Sequence, residues 1–160
     1  MKTLIFVYGT LLQGEGNHRL LKGVAACLGR VRTEPRYTLV SLGRFPGMLE
    51  GGEDIVEGEV YSVDKPTLGR LDGLEGHPSF YERKAVAIQG FEDRIEAYFL
   101  PRNPYEKNPR IVSGSWRDQE ARRCPNCKRL VTEKEIARGE KAHHGELKLN
   151  PDAFCVRSAE

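Results

Sequence analysis

The sequence lacks an apolar run of about 20 residues, the length that crosses a membrane as a helix. The apolar stretch at 3–7 is too short for the core of a signal peptide, and no small-residue cleavage site follows it. These absences argue against a membrane protein and against a secreted protein. We therefore expect a cytoplasmic protein without a membrane partner.

An excess of charge of one sign is also lacking. The net charge of the 160 residues is +2, and residues 1–116 balance 15 Lys and Arg against 15 Asp and Glu. The small excess falls in residues 117–160, which carry 10 basic and 8 acidic side chains. Domains that bind nucleic acid usually concentrate basic residues. We therefore expect no nucleic-acid partner.

Cysteine is scarce, and the glycine motifs of nucleotide sites are absent. Four cysteines in a chain without export signals do not indicate a disulfide framework. Cys27 lies in an Ala-rich segment, which predicts an inert, buried thiol. The sequence contains neither the GxGxxG of dinucleotide folds nor the GxxxxGK of P-loops.

Short strands dominate the pattern up to residue 117. Apolar and β-branched runs predict strands at 2–8, 36–41, 56–63, 81–89 and 94–100, and a short helix at 18–22. Short connections favour antiparallel pairing. We predict an α+β fold, a small mixed, mostly antiparallel β-barrel with short flanking helices. The composition changes after Trp116, which predicts one domain over 1–117 and a C-terminal extension over 118–160.

A second helix is predicted between Asp64 and Gly76. Asp64 is a typical N-cap residue, and a glycine at position 76 suits the left-handed conformation in which helices end. Helical spacing places Glu75 on one face with the leucines of this segment, Leu68, Leu71 and Leu74. This face is expected to be buried.

Glu75 is the candidate catalytic residue, because a carboxylate on a buried face is usually either paired or used for proton transfer. Burial disfavours the charged form and raises the pKa of a carboxyl group. Two structural alternatives stay open. Glu75 either reaches water at the end of the helix or pairs with Arg83.

The turn after the first strand is the candidate binding loop. Its residues are Tyr8, Gly9, Thr10 and Leu11, called the 8–11 loop below. A glycine here allows a positive φ or a close backbone approach, and successive N–H groups in such a turn can bind an anion. The alternative is an ordinary turn that ends a strand.

Five motifs occur together in one order. They are VYGTLL at 7–12, GEGNHRLL at 14–21, FPG at 45–47, LDGLEGHPSFYER at 71–83 and SGSWR at 113–117. In this order they resemble the gamma-glutamylcyclotransferase superfamily, most closely its gamma-glutamylamine cyclotransferase branch. The resemblance covers roughly residues 2–117.

The resemblance implies a function as well as a fold. It implies a small β-barrel in which the 8–11 loop and Tyr81 bind a small gamma-glutamyl substrate and Glu75 is catalytic. The implied reaction releases 5-oxoproline without a cofactor or a metal. One alternative is a non-catalytic module that binds a small metabolite and signals through the C-terminal extension. Another is action on a biosynthetic intermediate that carries a protecting gamma-glutamyl group.

Four other residues have structural interpretations. Asn17 and His18 match a family pair for which we expect a structural role, such as capping the short helix. His77 follows a helix end, which favours a cap that faces solvent. Trp116 is expected to anchor the core.

The extension contains a candidate zinc site. Two thiolates separated by two residues chelate zinc through a tight turn. The predicted ligands are Cys124, Cys127, His144 and Cys155, with His143 as the alternative to His144. A redox CxxC would need a βαβ pattern, which is not visible, and a disordered tail with incidental cysteines is the other alternative. The extension is also predicted to contact a protein partner.

Overall fold

One mixed sheet forms the centre of the fold in the computed structural model, which describes residues 1–102 and 109–117 and the backbone of 141–142 and 145–146. The strands of this sheet are β1 (Thr3–Val7), β2 (Ala26–Arg32), β3 (Tyr37–Ser41), β4 (Pro46–Glu50), β5 (Glu57–Val63), β6 (Glu82–Val86) and β7 (Ile95–Phe99). Their order is β2-β5-β1-β7-β4-β3, and β6 also pairs with β7. β1 runs antiparallel to β5 and parallel to β7, so the most apolar strand lies in the middle.

The predicted β-barrel is wrong, because the sheet formed by the described residues is open. β7 pairs with β1, β4 and β6, so the sheet branches at β7 and does not close on itself. An isolated bridge between Thr33 and Ile88 joins the segments just beyond β2 and β6. In the part of the chain that the structure describes, these two strands do not pair along their lengths.

The helix α1 (Lys65–Glu75) begins and ends where its capping residues predict. The carboxylate of Asp64 accepts a hydrogen bond from the Thr67 N–H at 2.9 Å, and Gly76 ends the helix with φ of 65°. The predicted buried stripe is only partly correct. Leu71 is fully buried, but Leu74 is 41% exposed, because the last turn of α1 borders a cavity and not the core.

A 3-10 helix at His18–Leu20 replaces the predicted helix at 18–22. Trp116 is buried, as expected for a core anchor. Arg110 forms a bidentate ion pair with the buried Asp54, which ties the segment 109–117 to the sheet.

The prediction that Cys27 is buried is wrong, because this residue is exposed. It lies on β2, which forms an edge of the sheet and leaves one side open to water.

The chain divides into two compact units, Met1–Trp116 and Arg117–Glu160. In the second unit the structure describes two short strands, β8 (Lys141–Ala142) and β9 (Gly145–Glu146), which pair antiparallel. The predicted zinc ligands Cys124, Cys127, His144 and Cys155, and the alternative His143, lie outside the described residues. The zinc site and the protein contact of the extension stay predictions.

Candidate active site

A cavity of about 370 Å³ opens beside the end of β1 and the end of α1. Its walls come from the 8–11 loop, the start of β4, the last turn of α1 and the segment that follows α1. The lining residues are Phe6, Val7, Tyr8, Gly9, Thr10, Leu11, Asn17, Phe45, Pro46, Leu74, Glu75, Gly76, Phe80, Tyr81 and Tyr98. All the residues that the sequence predicts for catalysis and substrate binding therefore line one cavity.

Glu75 is the ionisable carboxylate of this cavity. It is the last residue of α1 and is half-buried. Among the described residues, no side chain or backbone group forms a hydrogen bond or ion pair with its carboxylate. Burial raises the pKa of Glu75 from 4.5 to about 7. At neutral pH this carboxyl group is therefore populated in both protonation states, which suits a group that accepts and then returns a proton.

Arg83 does not pair with Glu75, so that structural alternative is wrong. Its guanidinium donates to Asp72 at 2.5 Å and to Glu96 at 3.4 Å. The hydroxyl of Tyr98 donates to the same Asp72 carboxylate at 2.7 Å. These contacts pair Arg83, the partner that the sequence suggested for Glu75, with two other carboxylates.

The segment after α1 folds back and places two aromatic rings beside Glu75. The Tyr81 N–H donates to the Glu75 carbonyl at 3.2 Å, and the Phe80 N–H donates to the Gly76 carbonyl at 2.8 Å. The Tyr81 hydroxyl donates to the Pro46 carbonyl at 2.6 Å. Burial, and then the charge of Glu75, raise the pKa of Tyr81. Tyr81 therefore offers its ring to the cavity and uses its hydroxyl to hold β4.

Tyr8 has a similar double role. Its hydroxyl donates to the Tyr98 carbonyl at 2.6 Å and accepts from the Met48 N–H at 3.1 Å. Burial is the main cause that raises the pKa of Tyr8 well above 10, followed by Tyr81 and Glu75. The hydroxyl joins β1, β4 and β7, and the ring lines the cavity.

Gly9 is required because another chain segment approaches closely. A Cβ atom at this position would lie 2.7 Å from Cγ of Pro46, closer than real contacts allow. Its φ is not in the left-handed region. Of the two reasons that the sequence gives for a glycine here, the close approach is the one that holds.

Side-chain contacts fix the 8–11 loop. Asn17 Nδ2 donates to Thr10 Oγ1 at 3.0 Å, and His18 Nδ1 donates to the Leu11 carbonyl at 3.0 Å. These contacts agree with the structural role expected for Asn17 and His18, but the Asn17 side chain does not cap the 3-10 helix. Sequence reasoning missed Glu59, which accepts from the Gln13 N–H at 2.8 Å. A glutamate within the largely buried strand β5 is the feature of the sequence that could have indicated it.

The residues of this loop line the cavity and have backbone hydrogen-bond donors without a protein acceptor among the described residues. In the described parts of the chain, the N–H groups of Gly9, Thr10 and Leu11 donate to no protein acceptor. No lysine, arginine or histidine lines the cavity in the same residues. The site can therefore hold an anionic group through backbone N–H donors.

Comparison with known proteins agrees with this geometry. Residues 5–118 match the family described as Gamma-glutamyl cyclotransferase, AIG2-like. The chain belongs to this family. Gamma-glutamylaminecyclotransferase of Homo sapiens is 44% identical over 109 residues, which span 63% of this chain and 71% of the human protein. A Vibrio cholerae protein named for the gamma-glutamylcyclotransferases is 48% identical over 116 residues, 72% of this chain and 96% of the relative.

A solved structure supports the fold of this gamma-glutamyl cyclotransferase family member. An AIG2-like protein of Mus musculus matches with a TM-score of 0.66 at 30% identity, covering 83% of this chain and 97% of the mouse protein. The resemblance stated from the motifs is confirmed, and the protein is an enzyme of the gamma-glutamylcyclotransferase class. The alternative of a non-catalytic binding module finds no support among these relatives.

Other groups lie outside the reaction chemistry of this cyclotransferase. His77 is half-buried, and its Nδ1 accepts from the Arg83 N–H at 3.0 Å, so it is not the solvent-facing cap predicted.

In the described residues, no group of three or more His, Cys, Asp or Glu side chains is arranged to hold a metal. Within the same residues, no helix combines the length and the apolarity needed to cross a membrane.

Proposed function

We propose that this enzyme converts a gamma-glutamyl amine or gamma-glutamyl peptide into 5-oxoproline and a free amine, with Glu75 as general base and then general acid. The observation that carries the proposal is the Glu75 carboxylate. It lines the cavity, has no partner among the described residues and has a pKa of about 7. The family to which the chain belongs acts on small gamma-glutamyl substrates, which supports the substrate class.

The 8–11 loop suits the glutamyl end of such a substrate. The α-carboxylate is an anion, and the N–H groups of Gly9, Thr10 and Leu11 have no protein acceptor among the described residues. We propose that these groups bind the α-carboxylate or the oxyanion that develops on the γ-carbonyl oxygen. Pro46 packs closely against Gly9 and Asn17 holds Thr10, so the donors of the loop are positioned before the substrate arrives.

The reaction moves two protons from the attacking nitrogen of the substrate to the leaving nitrogen. In the proposed route Glu75 accepts a proton from the substrate's α-ammonium group, and the free amine attacks the γ-carbonyl carbon to form the ring bond. The tetrahedral intermediate then collapses, the bond from the γ-carbon to the leaving nitrogen breaks, and Glu75 returns its proton to that nitrogen. The ring nitrogen gives its second proton to the released amine, which departs as an ammonium ion. Both reactants belong to one substrate, so the cavity mainly has to hold the ring-closing conformation.

The test is release of 5-oxoproline from a panel of gamma-glutamyl amines, gamma-glutamyl dipeptides and glutathione. We expect wild-type turnover of at least one compound, and we expect Glu75→Gln to lower kcat/KM by about 10²–10⁴-fold, the usual contribution of a general acid–base group. Glutamine keeps the size of the side chain and removes its proton chemistry.

The matched control is Glu92→Gln, which makes the same change at an exposed position outside the cavity lining. This variant should retain wild-type turnover. Equal activity of Glu75→Gln and wild type would disprove the role of Glu75 even if 5-oxoproline forms. The absence of 5-oxoproline from every compound would disprove the proposed reaction.

A further inference from the structure

Glu59 is a buried carboxylate that the proposed reaction does not use. It is 2% exposed, and its two neighbours on β5, Gly58 and Val60, are also buried. It does not line the cavity that contains Glu75. Burying a carboxylate is costly unless hydrogen bonds replace the lost water, so the contacts of this side chain are informative.

Glu59 contacts the chain on both sides of the 8–11 loop. On β1 its partner in the antiparallel register is Val7, the last residue before the loop. Its side-chain oxygen accepts a hydrogen bond at 2.8 Å from the N–H of Gln13, two residues after the loop. The backbone of Glu59 therefore holds the start of this turn, and its side chain holds the end.

A second contact reaches the loop from the same face of β5. Tyr61 follows Glu59 by two residues, so the two side chains lie on one face of the strand. The Tyr61 ring packs against the His18 ring with centroids 5.8 Å apart, and His18 Nδ1 donates to the Leu11 carbonyl at 3.0 Å. This face of β5 therefore supports the loop directly through Glu59 and indirectly through Tyr61.

We infer that Glu59 is a positioning residue, which sets the affinity for the glutamyl end of the substrate by fixing the N–H donors of the 8–11 loop. The inference rests on the proposed function, because that reaction defines what the loop binds. The contact with Gln13 requires an oxygen atom at the end of a side chain of this length. It does not require a negative charge, because a neutral amide oxygen also accepts from an N–H group.

Three substitutions separate reach from charge. Glu59→Asp keeps the charge on a side chain that is one CH₂ shorter, Glu59→Gln keeps the length and the oxygen, and Glu59→Ala removes the side chain beyond Cβ. We expect the alanine and aspartate variants to raise KM roughly tenfold, the effect of losing a hydrogen bond to a charged group. The glutamine variant should raise KM only about threefold, because a neutral hydrogen bond keeps about half of the strength.

The change should fall on KM more than on kcat, because the loop contacts the bound substrate before and during the reaction. The pH dependence of turnover should stay that of Glu75, with its limb near pH 7. Glu57→Ala is the matched control. It removes a carboxylate from the same strand, and this carboxylate pairs with Arg32 at 2.8 Å and lies outside the cavity lining. The control should keep the wild-type KM.

Amide hydrogen exchange of the free protein, followed by NMR, distinguishes a local effect from general destabilisation. Two amides report on the loop, since the Leu12 N–H donates to the Gly9 carbonyl at 3.1 Å and the Asn17 N–H donates to the Thr10 carbonyl at 2.9 Å. In Glu59→Ala and Glu59→Asp both should exchange roughly tenfold faster relative to the amides of β1. A residue that only stabilises the fold would accelerate the β1 amides equally.

The outcomes separate this inference from the proposed reaction. An unchanged KM in Glu59→Asp, or equal acceleration of the loop and β1 amides, would overturn the role of Glu59 and leave the reaction intact. A glutamine variant as impaired as the aspartate variant would also overturn it, because charge and not reach would then be required. If no compound releases 5-oxoproline, the proposed reaction fails. The exchange comparison needs no substrate and still decides whether Glu59 fixes the loop.

Discussion

The last two turns of α1 carry two carboxylates, Asp72 and Glu75, in opposite surroundings. Asp72 receives the guanidinium of Arg83 and the hydroxyl of Tyr98. Glu75, three residues later, has no hydrogen-bond or ion-pair partner among the described residues, and burial raises its pKa to about 7. One carboxylate is paired with protein groups, and burial destabilises the charged form of the other.

The difference arises from what the chain brings back to each side of the helix end. Arg83 returns from β6 to Asp72, whereas Phe80 and Tyr81, only two or three residues earlier, place apolar rings next to Glu75. The pairing of Asp72 also neutralises the charge nearest to Glu75 along the helix. Asp72 is therefore tied to β6 and β7, whereas Glu75 faces the cavity without a partner among the described residues.

The largest effect expected from this contrast is on the pH dependence of turnover. A general base with a pKa of about 7 must be ionised, so kcat/KM should fall about tenfold for each pH unit below 7 and level off above it. Between pH 8 and pH 5 the expected decrease is therefore about a hundredfold. Initial rates of 5-oxoproline release in a constant-ionic-strength buffer measure this profile. A limb near pH 4.5 would show that Glu75 titrates like a solvated glutamate.

Local signals in the sequence predict the part of the fold that carries Glu75. The N-cap of α1 at Asp64 and its end at Gly76 depend on residues within one turn of the helix, so they can be read from the sequence and are confirmed. Strand β1 is also predicted, because a dense β-branched and aromatic run needs burial on both faces. The resemblance of the motifs to a known family predicts in addition that Glu75, Tyr81 and the 8–11 loop lie at one site, and all of them line the same cavity.

Non-local contacts explain what the sequence does not predict. β2 lies at a sheet edge, is largely exposed and contains Gly29, and β4 begins at Pro46-Gly47, which is typical of a turn. Closure of the sheet depends on pairing between β2 and β6, which no local pattern specifies. Likewise, the choice of Arg83 for Asp72 and not for Glu75 depends on how β6 returns to the helix.

A smaller effect is expected on stability, with the opposite sign to that on activity. The pKa of Glu75 is raised on folding from 4.5 to about 7, so its contribution is favourable below about pH 4.5 and is lost as the pH rises to about 7. The Glu75→Gln variant has no carboxyl group to ionise, so it does not lose stability as the pH rises. At pH 8 the variant should therefore exceed wild type by about 2–3 kcal/mol in the free energy of unfolding, with a much smaller difference at pH 5.

Urea denaturation of both proteins at the two pH values measures this difference. Glu92→Gln provides the control for removing a negative charge from the surface. A stability difference between Glu75→Gln and wild type that is the same at pH 5 and pH 8 would contradict the raised pKa.

The corresponding substitution of the paired carboxylate, Asp72→Asn, should destabilise the protein. Asp72→Asn removes the ion pair with Arg83 and weakens the hydrogen bond from Tyr98, which should lower the free energy of unfolding by about 2 kcal/mol at pH 7. Asp93→Asn makes the same change at an exposed position and should have little effect. If Asp72→Asn leaves stability unchanged but abolishes turnover, the division of roles between the two carboxylates is wrong.

The smallest effect expected is that of Tyr81→Phe, which tests whether a hydroxyl shares the chemistry of Glu75. The variant loses the hydrogen bond to the Pro46 carbonyl and keeps the ring, so it should lower the free energy of unfolding by about 1 kcal/mol. Because the hydroxyl is engaged with β4, kcat/KM should change by much less than in Glu75→Gln. A loss of turnover as large as that of Glu75→Gln, with stability retained, would instead make the Tyr81 hydroxyl a second proton-transfer group. Denaturation and 5-oxoproline release, measured on the same preparation, distinguish the two results.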